Sequence, residues 1–383
     1  MKNRAGQFVP QEGGYSAFVP APLPPVPPIR YDDETHMLVS EADRALARLD
    51  GIAFVLPNPD LFVEMYLTRE ALLSSQIEGT QTSLEEVLKF SAGMSKKSDP
   101  ENERVVSNYV KATHQALDAL RTADGLTLDI IRAAHGTLME NTRGGDLSPG
   151  EFRRAQNYVG RPGTALADAP FIPPPPEAVP AAMQELQRFI NQKGSMPPLV
   201  KAALVHAQFE TIHPFRDGNG RIGRLLITLY LCMRGILDRP LLCMSYFLKK
   251  QRKDYYDSLM QVRLDGDWER WVKFFLRVVA ETSKESAATA GDIIRLKDRL
   301  LQQLVQSRIA TASSVGLLER LFHNPNVTVP DVVRELGVSR VTAFQLLRRF
   351  ERAGILREKS GTQKRRQFVL QDYVAILERG TEQ

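Results

Sequence analysis

The sequence lacks the features that mark a secreted, membrane-spanning or repetitive protein. Only two cysteines, Cys232 and Cys243, occur in 383 residues, which excludes a disulfide framework and favours reduced, buried thiols. No apolar run reaches the length of a membrane span, and the N-terminus has no continuous apolar signal core. No repeat of solenoid period is present. We therefore expect a cytoplasmic protein that does not contact a membrane.

Length and charge bound the organisation of the chain. A chain of 383 residues with 43% hydrophobic content can form more than one domain. The whole-chain net charge of +5 is small, so any strongly basic surface must be local. Residues 19–28 are rich in proline and predict an extended arm that lies on the core or links to it.

One stretch carries most of the chemical information: residues 213–224 read HPFRDGNGRIGR. Gly218 and Gly220 permit backbone conformations in which successive N–H groups converge on one anion. An apolar segment of helical spacing follows, so we expect a helix that begins near Gly220 or Arg221. Its N-terminus adds free donors and a partial positive charge. Arg221 and Arg224 lie on one face of that helix and suit phosphate oxygens. The stretch therefore predicts a phosphate site.

Two residues upstream of these glycines supply metal and acid–base chemistry. Asp217 is the hard oxygen ligand that Mg²⁺ prefers, usually together with substrate phosphates. His213 titrates near neutral pH, where a general base for a hydroxyl group should titrate. Each residue alone would be an ordinary packed or capping side chain, but the whole set at this spacing is rarely accidental. Phe215 alternates with the polar residues and predicts a buried anchor for the loop.

The stretch 213–224 resembles the signature of the Fic family, H-x-F-x-D-G-N-G-R-x-x-R, at every defined position. The resemblance covers about the middle two-thirds of the chain. It implies a mainly α fold, in which an all-helical core carries a small β-hairpin flap. It also implies transfer of AMP from ATP to a Ser, Thr or Tyr hydroxyl of a protein, with release of pyrophosphate. Family members that transfer the γ-phosphate carry Lys at the position of Gly220, so the glycine favours AMP transfer over kinase activity.

The resemblance assigns a role to each loop residue. His213 is expected to deprotonate the target hydroxyl, and Asp217 to hold a Mg²⁺ that bridges the α- and β-phosphates. Arg224 is expected to contact the γ-phosphate and fix the nucleotide in a productive pose. The implied phosphate-binding residues, through backbone, amide and guanidinium donors, are Gly218, Asn219, Gly220 and Arg221. ATP is the implied substrate and Mg²⁺ the implied cofactor.

An upstream segment, Ser74 to Gly79, resembles the inhibitory helix of the family, Ser/Thr-x-x-x-Glu-Gly/Asn. Residues 61–76 are compatible with a helix, and Gly79 is a natural C-terminal stop. A Glu-Gly helix end is common on protein surfaces, but beside a complete Fic loop the inhibitory interpretation is favoured. The resemblance implies that Glu78 pairs with Arg224 and denies it to the γ-phosphate, so that no separate antitoxin subunit is required.

Two further regions resemble parts of a Fic core. Residues 150–160 lead to a proline run at 173–176 and predict a flap of two short strands, which registers the target by strand addition. The alternative is an ordinary surface loop. In related proteins, residues near a double Tyr and a Trp border the adenine; here these are Tyr255, Tyr256 and Trp268, although such aromatics are more often core. Packing is the favoured interpretation of His135 and His206.

The composition changes near the C-terminus. Residues 327–339 read as a helix, a tight Gly turn and a Ser N-cap for the next helix. Residues 340–352 follow as a recognition helix, and a basic turn between two strands then forms a wing. The segment thus resembles a winged helix-turn-helix. We expect the recognition helix to bury Val341, Leu346, Leu347 and Phe350.

The local charge of this module is strongly positive. Between residues 340 and 366 the net charge is +7, above that of the whole chain, which favours contact with DNA phosphates. The candidate DNA contacts are Arg340, Thr342, Gln345, Arg348, Arg349, Lys364, Arg365 and Arg366. The same fold can instead serve dimerisation or target docking, since fold does not dictate function.

These observations divide the chain into five segments. They are an extended Pro-rich arm (1–35), an N-terminal helical region with the inhibitory motif (36–115), the Fic catalytic core (116–285), a connecting helix (286–312) and the winged helix-turn-helix domain (313–383).

Two hypotheses of different class are open. The first is a self-inhibited protein adenylyltransferase that modifies a target protein, of unknown identity, or itself. The second is a DNA-binding regulator whose Fic core senses nucleotide. The intact His213 and Asp217 favour the enzyme, because a sensor needs no base. Removal of AMP from a target is also open, since Glu78 could position a water molecule. Whether the chain forms a homodimer is not decided by the sequence.

Overall fold

Helices form most of the chain in the computed structural model. The structure describes residues 3–91, 99–143, 148–160, 163–359 and 366–379. Two compact units are present: the first comprises Met1–Ala47 and Leu67–Lys284, and the second Arg48–Tyr66 and Glu285–Glu382.

The first unit consists of a two-stranded sheet and a set of helices. In chain order these are β1 (Gly6–Gln11), β2 (Tyr15–Pro20), α1 (Asp33–Ala53), α2 (Pro59–Ile77), α3 (Leu84–Ser91), α4 (Glu101–Leu120), α5 (Leu128–Leu138), α6 (Val179–Asn191), α7 (Pro198–Ile212), α8 (Asn219–Met233), α9 (Met244–Lys250), α10 (Arg252–Asp265) and α11 (Trp268–Gln306). Helices α1, α2 and α11 also contribute residues to the second unit.

Helices α7 and α8 form the centre of the first unit. Every residue from Leu199 to Ile212 is buried. Helix α7 packs against α6, α8 and α10, and α8 packs against α4 and α5. A helix surrounded in this way has no solvent-facing side and is apolar nearly all round. Some of its buried polar side chains are hydrogen-bonded: Nε2 of Gln208, for example, donates to the carbonyl of Ala21 (2.8 Å).

The N-terminal segment is a β-hairpin and not the simple extended arm that its prolines predict. Strands β1 and β2 pair antiparallel, with Phe8 opposite Phe18. The physical reason is the pair Gly13-Gly14, which adopts φ values of 101° and 80° and so permits the turn. Phe18 is fully buried, and its N–H donates to the carbonyl of Ile172 (2.9 Å). The prolines follow the hairpin and link it to α1.

The flap contains less β-structure than expected. Among its described residues, a single antiparallel bridge joins Val159 to Phe171. Pro170 and the run at 173–176 cannot donate N–H groups to a ladder, which accounts for the short pairing. Residues 161–162 of the expected turn lie outside the described residues.

The expected connecting helix is part of one long helix. Helix α11 runs without interruption for 39 residues, so the boundary expected at residue 285 falls inside a helix. It contains no proline, and Gly291 is its one glycine. Like every other helix that the structure describes, α11 falls short of the combination of length and apolarity that crossing a bilayer needs.

The second unit ends in a winged helix-turn-helix, as predicted. Its elements are α12 (Ala312–His323), β3 (Asn326–Thr328), α13 (Val329–Leu336), α14 (Arg340–Arg352), β4 (Arg357–Lys359), β5 (Gln367–Val369) and α15 (Gln371–Glu378). The strands form one antiparallel sheet in the order β3-β5-β4. Gly337, with φ 64°, ends α13, and the hydroxyl of Ser339 accepts the Thr342 N–H at the start of α14. Residues 360–365 of the wing lie outside the described residues.

One core assignment in α14 is wrong. Val341 is 67% exposed, whereas Ala343, Leu346, Leu347 and Phe350 are all buried. The four buried positions recur at i, i+3, i+4 and i+7, which places them on one side of the helix. Val341 precedes them by two positions and therefore lies on a different face.

We predict that Thr328→Ala weakens the winged helix-turn-helix. The Thr328 hydroxyl donates to Asp331 Oδ2 (2.6 Å), and the same carboxylate oxygen accepts the Thr328 N–H (3.0 Å). Loss of this capping box should lower the free energy of unfolding by about 1 kcal/mol, measured by urea titration. Gln345→Ala, an exposed control on α14, should change it by less than about 0.5 kcal/mol. Equal effects of the two substitutions would contradict the capping role.

Candidate functional site

The motif residues lie on the loop between α7 and α8 and on the first turns of α8, and the backbone of the loop is constrained at both ends. His213 follows α7 in the left-handed region, with φ 49°. Gly218 is the N-cap of α8 and has φ 75°. A non-glycine residue in the left-handed region stores strain that surrounding contacts must hold. The loop therefore depends on its braces.

The side chain of Asn219 is the first brace. Its Oδ1 accepts the N–H of Phe215 (2.8 Å), and its Nδ2 donates to the carbonyl of Phe215 (2.8 Å). Asn219 is 2% exposed and Phe215 is fully buried. The amide group predicted to bind phosphate thus also holds the loop, with Oδ1 and one N–H of Nδ2 engaged by Phe215.

Residues of the flap segment supply further braces. Nε of Arg153 donates to the carbonyl of His213 (2.9 Å), and the Arg153 N–H donates to the carbonyl of Pro214 (2.9 Å). Nδ2 of Asn157 donates to the carbonyl of Phe215 (3.0 Å). The loop carbonyls are satisfied by protein groups, which fixes the direction of the loop.

His135 on α5 supports the loop from the other side. Its ring stacks on Phe215 at 3.7 Å between centroids. Its Nδ1 accepts the Gly150 N–H (2.8 Å), so Nε2 carries the proton and donates to the carbonyl of Asp217 (3.0 Å). Burial lowers the pKa of His135 to about 4. This packed histidine is therefore neutral, and it positions the main chain of Asp217.

His213 is held in a state that accepts a proton. Burial, with the charge of Arg263 adding to it, lowers the pKa of His213 to about 4, so the imidazole is neutral at pH 7. Its Nδ1 lies 3.4 Å from the carbonyl of Glu210. A carbonyl only accepts, so Nδ1 carries the proton and Nε2 keeps a lone pair. Nε2 is the atom that can act as a base.

The start of α8 presents free donors at the position predicted to bind an anion. The left-handed Gly218 precedes the first turn of the helix, where free N–H groups and the partial positive charge of the helix meet. Arg221 is 7% exposed, and its Nε has no hydrogen-bond partner among the described residues. A buried donor without a partner is free to bind an incoming acceptor such as a phosphate oxygen.

The side chain of Asp217 suits the role of a magnesium ligand. Its side chain is 53% exposed, and Oδ1 accepts the Gly218 N–H (2.6 Å). In the described part of the chain, no group of three or more His, Cys, Asp or Glu side chains could enclose a metal. Mg²⁺ usually binds one or two carboxylates together with substrate phosphates and water, so a single accessible carboxylate beside the anion site is sufficient.

Arg224 is held by the end of α2. It is 2% exposed. Its Nε donates to the Ser74 hydroxyl (2.7 Å), and its NH2 group donates to the Ser74 carbonyl (2.9 Å) and to Glu78 Oε1 (2.7 Å). Burial opposes the charge of Arg224, but the Glu78 carboxylate acts together with Tyr255, Tyr256 and Glu210 to outweigh it, and the pKa of Arg224 lies above its ordinary value. The pairing predicted between Glu78 and Arg224 is present in the structure.

The turn after α2 presents Glu78 to the site. Gly79 has φ 99°, a conformation that glycine adopts readily. Nζ of Lys249 donates to Gln76 Oε1 (2.7 Å) and ties this turn to α9. Burial alone would raise the pKa of Glu78. The charge of Arg224 and its hydrogen bond act in the opposite direction, and the pKa lies below its ordinary value, so the carboxylate is ionised at neutral pH. The side chain of Glu78 remains 37% exposed, whereas that of Arg224 is 1% exposed.

Gly220 leaves the space in which Glu78 lies. A Cβ atom at this position would come within 2.2 Å of Glu78 Oε1 and within 3.1 Å of an Arg224 nitrogen. No side chain larger than hydrogen is compatible with the pair as it stands. The glycine expected to favour AMP transfer thus also leaves room for the contact between Glu78 and Arg224.

The aromatic residues expected beside adenine are mostly core. Tyr255 and Trp268 are each 1% exposed, and the hydroxyl of Tyr255 lies 2.9 Å from Nε2 of His206. Packing accounts for these two residues. Tyr256 is partly exposed and is the member of the three that retains surface for a ligand.

Sequence reasoning missed several buried or partly buried residues around the loop. Their contacts connect positions far apart in the chain, as when Glu70 accepts both the N–H and the hydroxyl of Ser245 (2.9 and 2.5 Å). Only Glu210 had a local signal, since it lies one helical turn before His213. The residues missed are Glu70, Tyr109, Arg153, Asn157, Glu210 and Arg263.

The candidate DNA contacts do not form one uniform set. Exposed residues of α14 are Arg340, Thr342, Gln345 and Arg349. Two others are paired with acidic residues: Arg348 lies 2.5 Å from Glu351 and 3.2 Å from Glu358, and Arg366 lies 3.4 Å from Glu358. Lys364 and Arg365 lie outside the described residues.

Three parts of the chain match known protein families. Residues 36–118 match the Fic/DOC family N-terminal region, residues 125–231 match the Fic/DOC family, and residues 302–366 match the MarR family. These matches cover the inhibitory segment, the motif loop and the winged helix-turn-helix, in the order predicted.

Curated relatives match about half of the chain. Proteins named protein adenylyltransferase Fic are 30% identical over 184 residues in Drosophila grimshawi and 31% identical over 180 residues in Drosophila melanogaster. The matches cover 48% and 46% of this chain. The chain spans about a third of the length of these relatives, 33% and 32% respectively.

Solved structures share the fold. A Fic family protein from Desulfovibrio desulfuricans G20 aligns with a TM-score of 0.60 and 24% identity, over 90% of this chain and 97% of that one. A Fic domain containing signaling protein from Bacteroides thetaiotaomicron VPI-5482 aligns with a TM-score of 0.53 and 20% identity, over 67% of this chain and 97% of that one.

We predict that acid destabilises the fold through its buried histidines. Burial lowers the pKa of His206 to about 3, below the ordinary value of 6.5. As the pH falls, the unfolded chain therefore binds a proton on this histidine before the folded chain does. The contribution of His206 to the free energy of unfolding is complete above pH 6.5 and is lost as the pH falls below it. His206 should account for roughly 2–3 kcal/mol by about pH 4.5.

His206→Gln tests this contribution. Its free energy of unfolding, from urea titrations between about pH 7 and pH 4.5, should fall less steeply with acid than that of the wild type, although it is lower at pH 7. A slope equal to that of the wild type would show that His206 does not carry the effect.

Proposed function

The chain belongs to the Fic/DOC family, and on that basis we propose that it is a self-inhibited protein adenylyltransferase. It transfers AMP from ATP to a Ser, Thr or Tyr hydroxyl of a target protein and releases pyrophosphate. One observation carries this proposal. A neutral His213 and an accessible Asp217 lie on one braced loop with a helix N-terminus, and the arginine predicted to bind the γ-phosphate is held by Glu78.

The residues of the loop divide the work of the reaction. Nε2 of His213 accepts the proton of the target hydroxyl while the hydroxyl oxygen forms a bond to the α-phosphorus. The bond from this phosphorus to the bridging oxygen breaks, and pyrophosphate leaves with the electron pair. The N–H groups at the start of α8 and the guanidinium of Arg221 neutralise phosphate charge. Catalysis of this type rests on positioning and electrostatics, which the braced loop supplies.

Asp217 is the residue that would hold Mg²⁺. Its accessible carboxylate and its position beside the anion site support this role. When bound, Mg²⁺ supplies positive charge to the phosphate oxygens of the nucleotide.

Glu78 restrains the enzyme by occupying Arg224. The guanidinium has hydrogen bonds to Ser74 and Glu78 and is 2% exposed, so it cannot contact a γ-phosphate without giving up Glu78. The pair is not sealed from solvent, since 37% of the Glu78 side chain is exposed. A partner or a ligand can therefore displace it.

We predict that Glu78→Gly raises AMP transfer by about tenfold or more, because it frees Arg224 for the nucleotide. The purified protein is incubated with Mg²⁺ and ATP labelled on the α- or the γ-phosphate, with and without lysate protein. Only the α-label should become protein-bound. Intact mass then shows whether the chain has modified itself. Bound γ-label would mean phosphate transfer, contrary to the proposal.

Two matched variants control this experiment. Glu78→Gly/His213→Ala should lose all transfer, since the base is absent. Glu140→Gly removes a carboxylate of similar exposure, 50%, that pairs with Lys111 and not with the site; it should leave the wild-type rate unchanged. A different outcome is that Glu78→Gly incorporates no label and the wild-type protein releases AMP from a modified target. The chain then removes AMP, and the proposed direction is wrong.

A second function, DNA binding, is favoured by the surface of α14. Arg340, Thr342, Gln345 and Arg349 are exposed on the second helix of a helix-turn-helix, the element that enters the major groove in proteins of this fold. We propose that the C-terminal module binds DNA through this helix. The alternative is a protein-docking surface.

Binding of duplex DNA at several salt concentrations tests this proposal. Arg340→Ala and Arg349→Ala should each weaken binding and reduce the slope of log K against log salt by about one for each DNA phosphate that the variant no longer neutralises. Arg295→Ala is the control, because Arg295 is an exposed arginine of α11 paired with Asp292. Binding that is absent in the folded wild type, or unaffected by the α14 variants, would favour protein docking.

A further inference from the structure

Glu210 lies on the last turn of α7, three residues before His213, and is 7% exposed. Its Oε2 lies 4.0 Å from Nδ1 of His213, and its main-chain carbonyl lies 3.4 Å from the same nitrogen. Two acceptors of one residue therefore face the inner nitrogen of the base. Any amino acid at this position would supply the carbonyl, but only an acidic one supplies a negative charge.

The carboxylate of Glu210 has one oxygen without a partner. Oε1 is buried and makes no hydrogen bond to any residue that the structure describes. Helix α8 approaches it closely, since a Cβ atom at Gly223 would come within 2.2 Å of Oε1. A buried, unsatisfied carboxylate lowers stability, and an uncharged residue of the same shape would lower it less. Stability therefore does not explain why a carboxylate lies here.

Charged and titratable groups face Glu210 from several elements. Burial raises the pKa of Glu210 to about 7; the charges of Arg224 and Arg263 oppose the rise, and that of Glu78 adds to it. Because this pKa lies above its ordinary value, the carboxyl group gains its charge as the pH rises through 7. The groups that face it are Glu78 after α2, His213 on the loop, Arg224 on α8, and Tyr255, Tyr256 and Arg263 on α10.

We infer that Glu210 is a positioning residue for the transfer reaction, which holds His213 and stabilises the imidazolium that forms when Nε2 takes the hydroxyl proton. The inference rests on the proposed function. In the transfer step the proton moves to Nε2, the hydroxyl oxygen bonds to the α-phosphorus, and pyrophosphate leaves. His213 then carries a positive charge 4.0 Å from the carboxylate, and it later releases the proton to solvent. Glu210 contacts no reacting atom.

Glu210→Gln in the active Glu78→Gly protein tests this role. Loss of Glu78 removes a charge that raises the pKa of Glu210, so at about pH 8 the carboxylate is ionised in this background. We expect kcat to fall by about tenfold or more, with KM for ATP unchanged within about twofold. The Tm should stay the same or rise. A residue with only a structural role would lower Tm and leave kcat unchanged.

Glu103→Gln is the matched control. Glu103 is a buried carboxylate, 1% exposed, that accepts a hydrogen bond from the Thr82 hydroxyl (2.9 Å). Its loss should lower Tm without lowering kcat. Equal kcat values for Glu210→Gln and its parent would overturn the inference. If Glu210→Gln does not fold, Glu210→Asp replaces it, since it keeps the charge but withdraws it from Nδ1; an unchanged kcat would then overturn the inference.

A measurement without turnover separates this inference from the proposed function. The chain has six histidines, so the carbon between the two ring nitrogens of His213 can be followed by NMR in ¹³C-labelled protein and assigned with His213→Ala. In the wild type it should titrate partly near the ionisation of Glu210, and in Glu210→Gln this step should vanish. Identical titrations would overturn the inference. An inactive Glu78→Gly parent with the step present would reject the proposed function alone.

Discussion

The arrangement of the site follows from the need to pair one buried cation. Arg224 is almost fully removed from water, and a guanidinium cannot remain there without acceptors. In this structure the acceptors come from the end of α2, through Ser74 and Glu78. The same requirement makes the residue responsive, because any anion that enters the site competes with Glu78 for the same donors. Under the proposed function, restraint by Glu78 and binding of a nucleotide phosphate are alternative ways to pair Arg224, and Glu78 is the more exposed member of the present pair.

The loop that carries His213 is held by contacts from several elements. Its left-handed backbone at His213 is held by hydrogen bonds from Asn219, Arg153 and Asn157, and by the ring of His135 against Phe215. The braces come from three parts of the first unit: the start of α8, the flap segment and α5. None of these contacts involves Glu78. Under the proposed function, displacement of Glu78 would therefore change the surroundings of the nucleotide and leave the contacts that hold the His213 backbone in place.

The parts of the structure that were predictable are those encoded locally. The glycines, Asp217 and the start of α8 are contiguous in sequence, and the Gly337 turn with its Ser339 cap marks the helix-turn-helix in the same way. The pairing of Glu78 with Arg224 spans 146 residues and was reached only through resemblance to a family. The contacts of Glu70, Arg153 and Asn157 have no local signature, because folding alone brings their partners together. The hairpin at residues 6–20 was missed because proline content alone predicted an extended arm. The exposure of Val341 was missed because the helical pattern was read without its neighbours in the fold.

Gly220 belongs to two features of the site: the first turn of α8 and the space that holds the Glu78 carboxylate. Any substitution there introduces a carbon atom where the Glu78 carboxylate lies. A side chain here, such as the lysine expected of phosphate-transferring family members, would meet the Glu78 carboxylate and require it to shift. Under the proposed function, one substitution would then alter the start of α8 and the contact of Glu78 with Arg224 together. Two properties that selection could otherwise adjust separately would change at a single position.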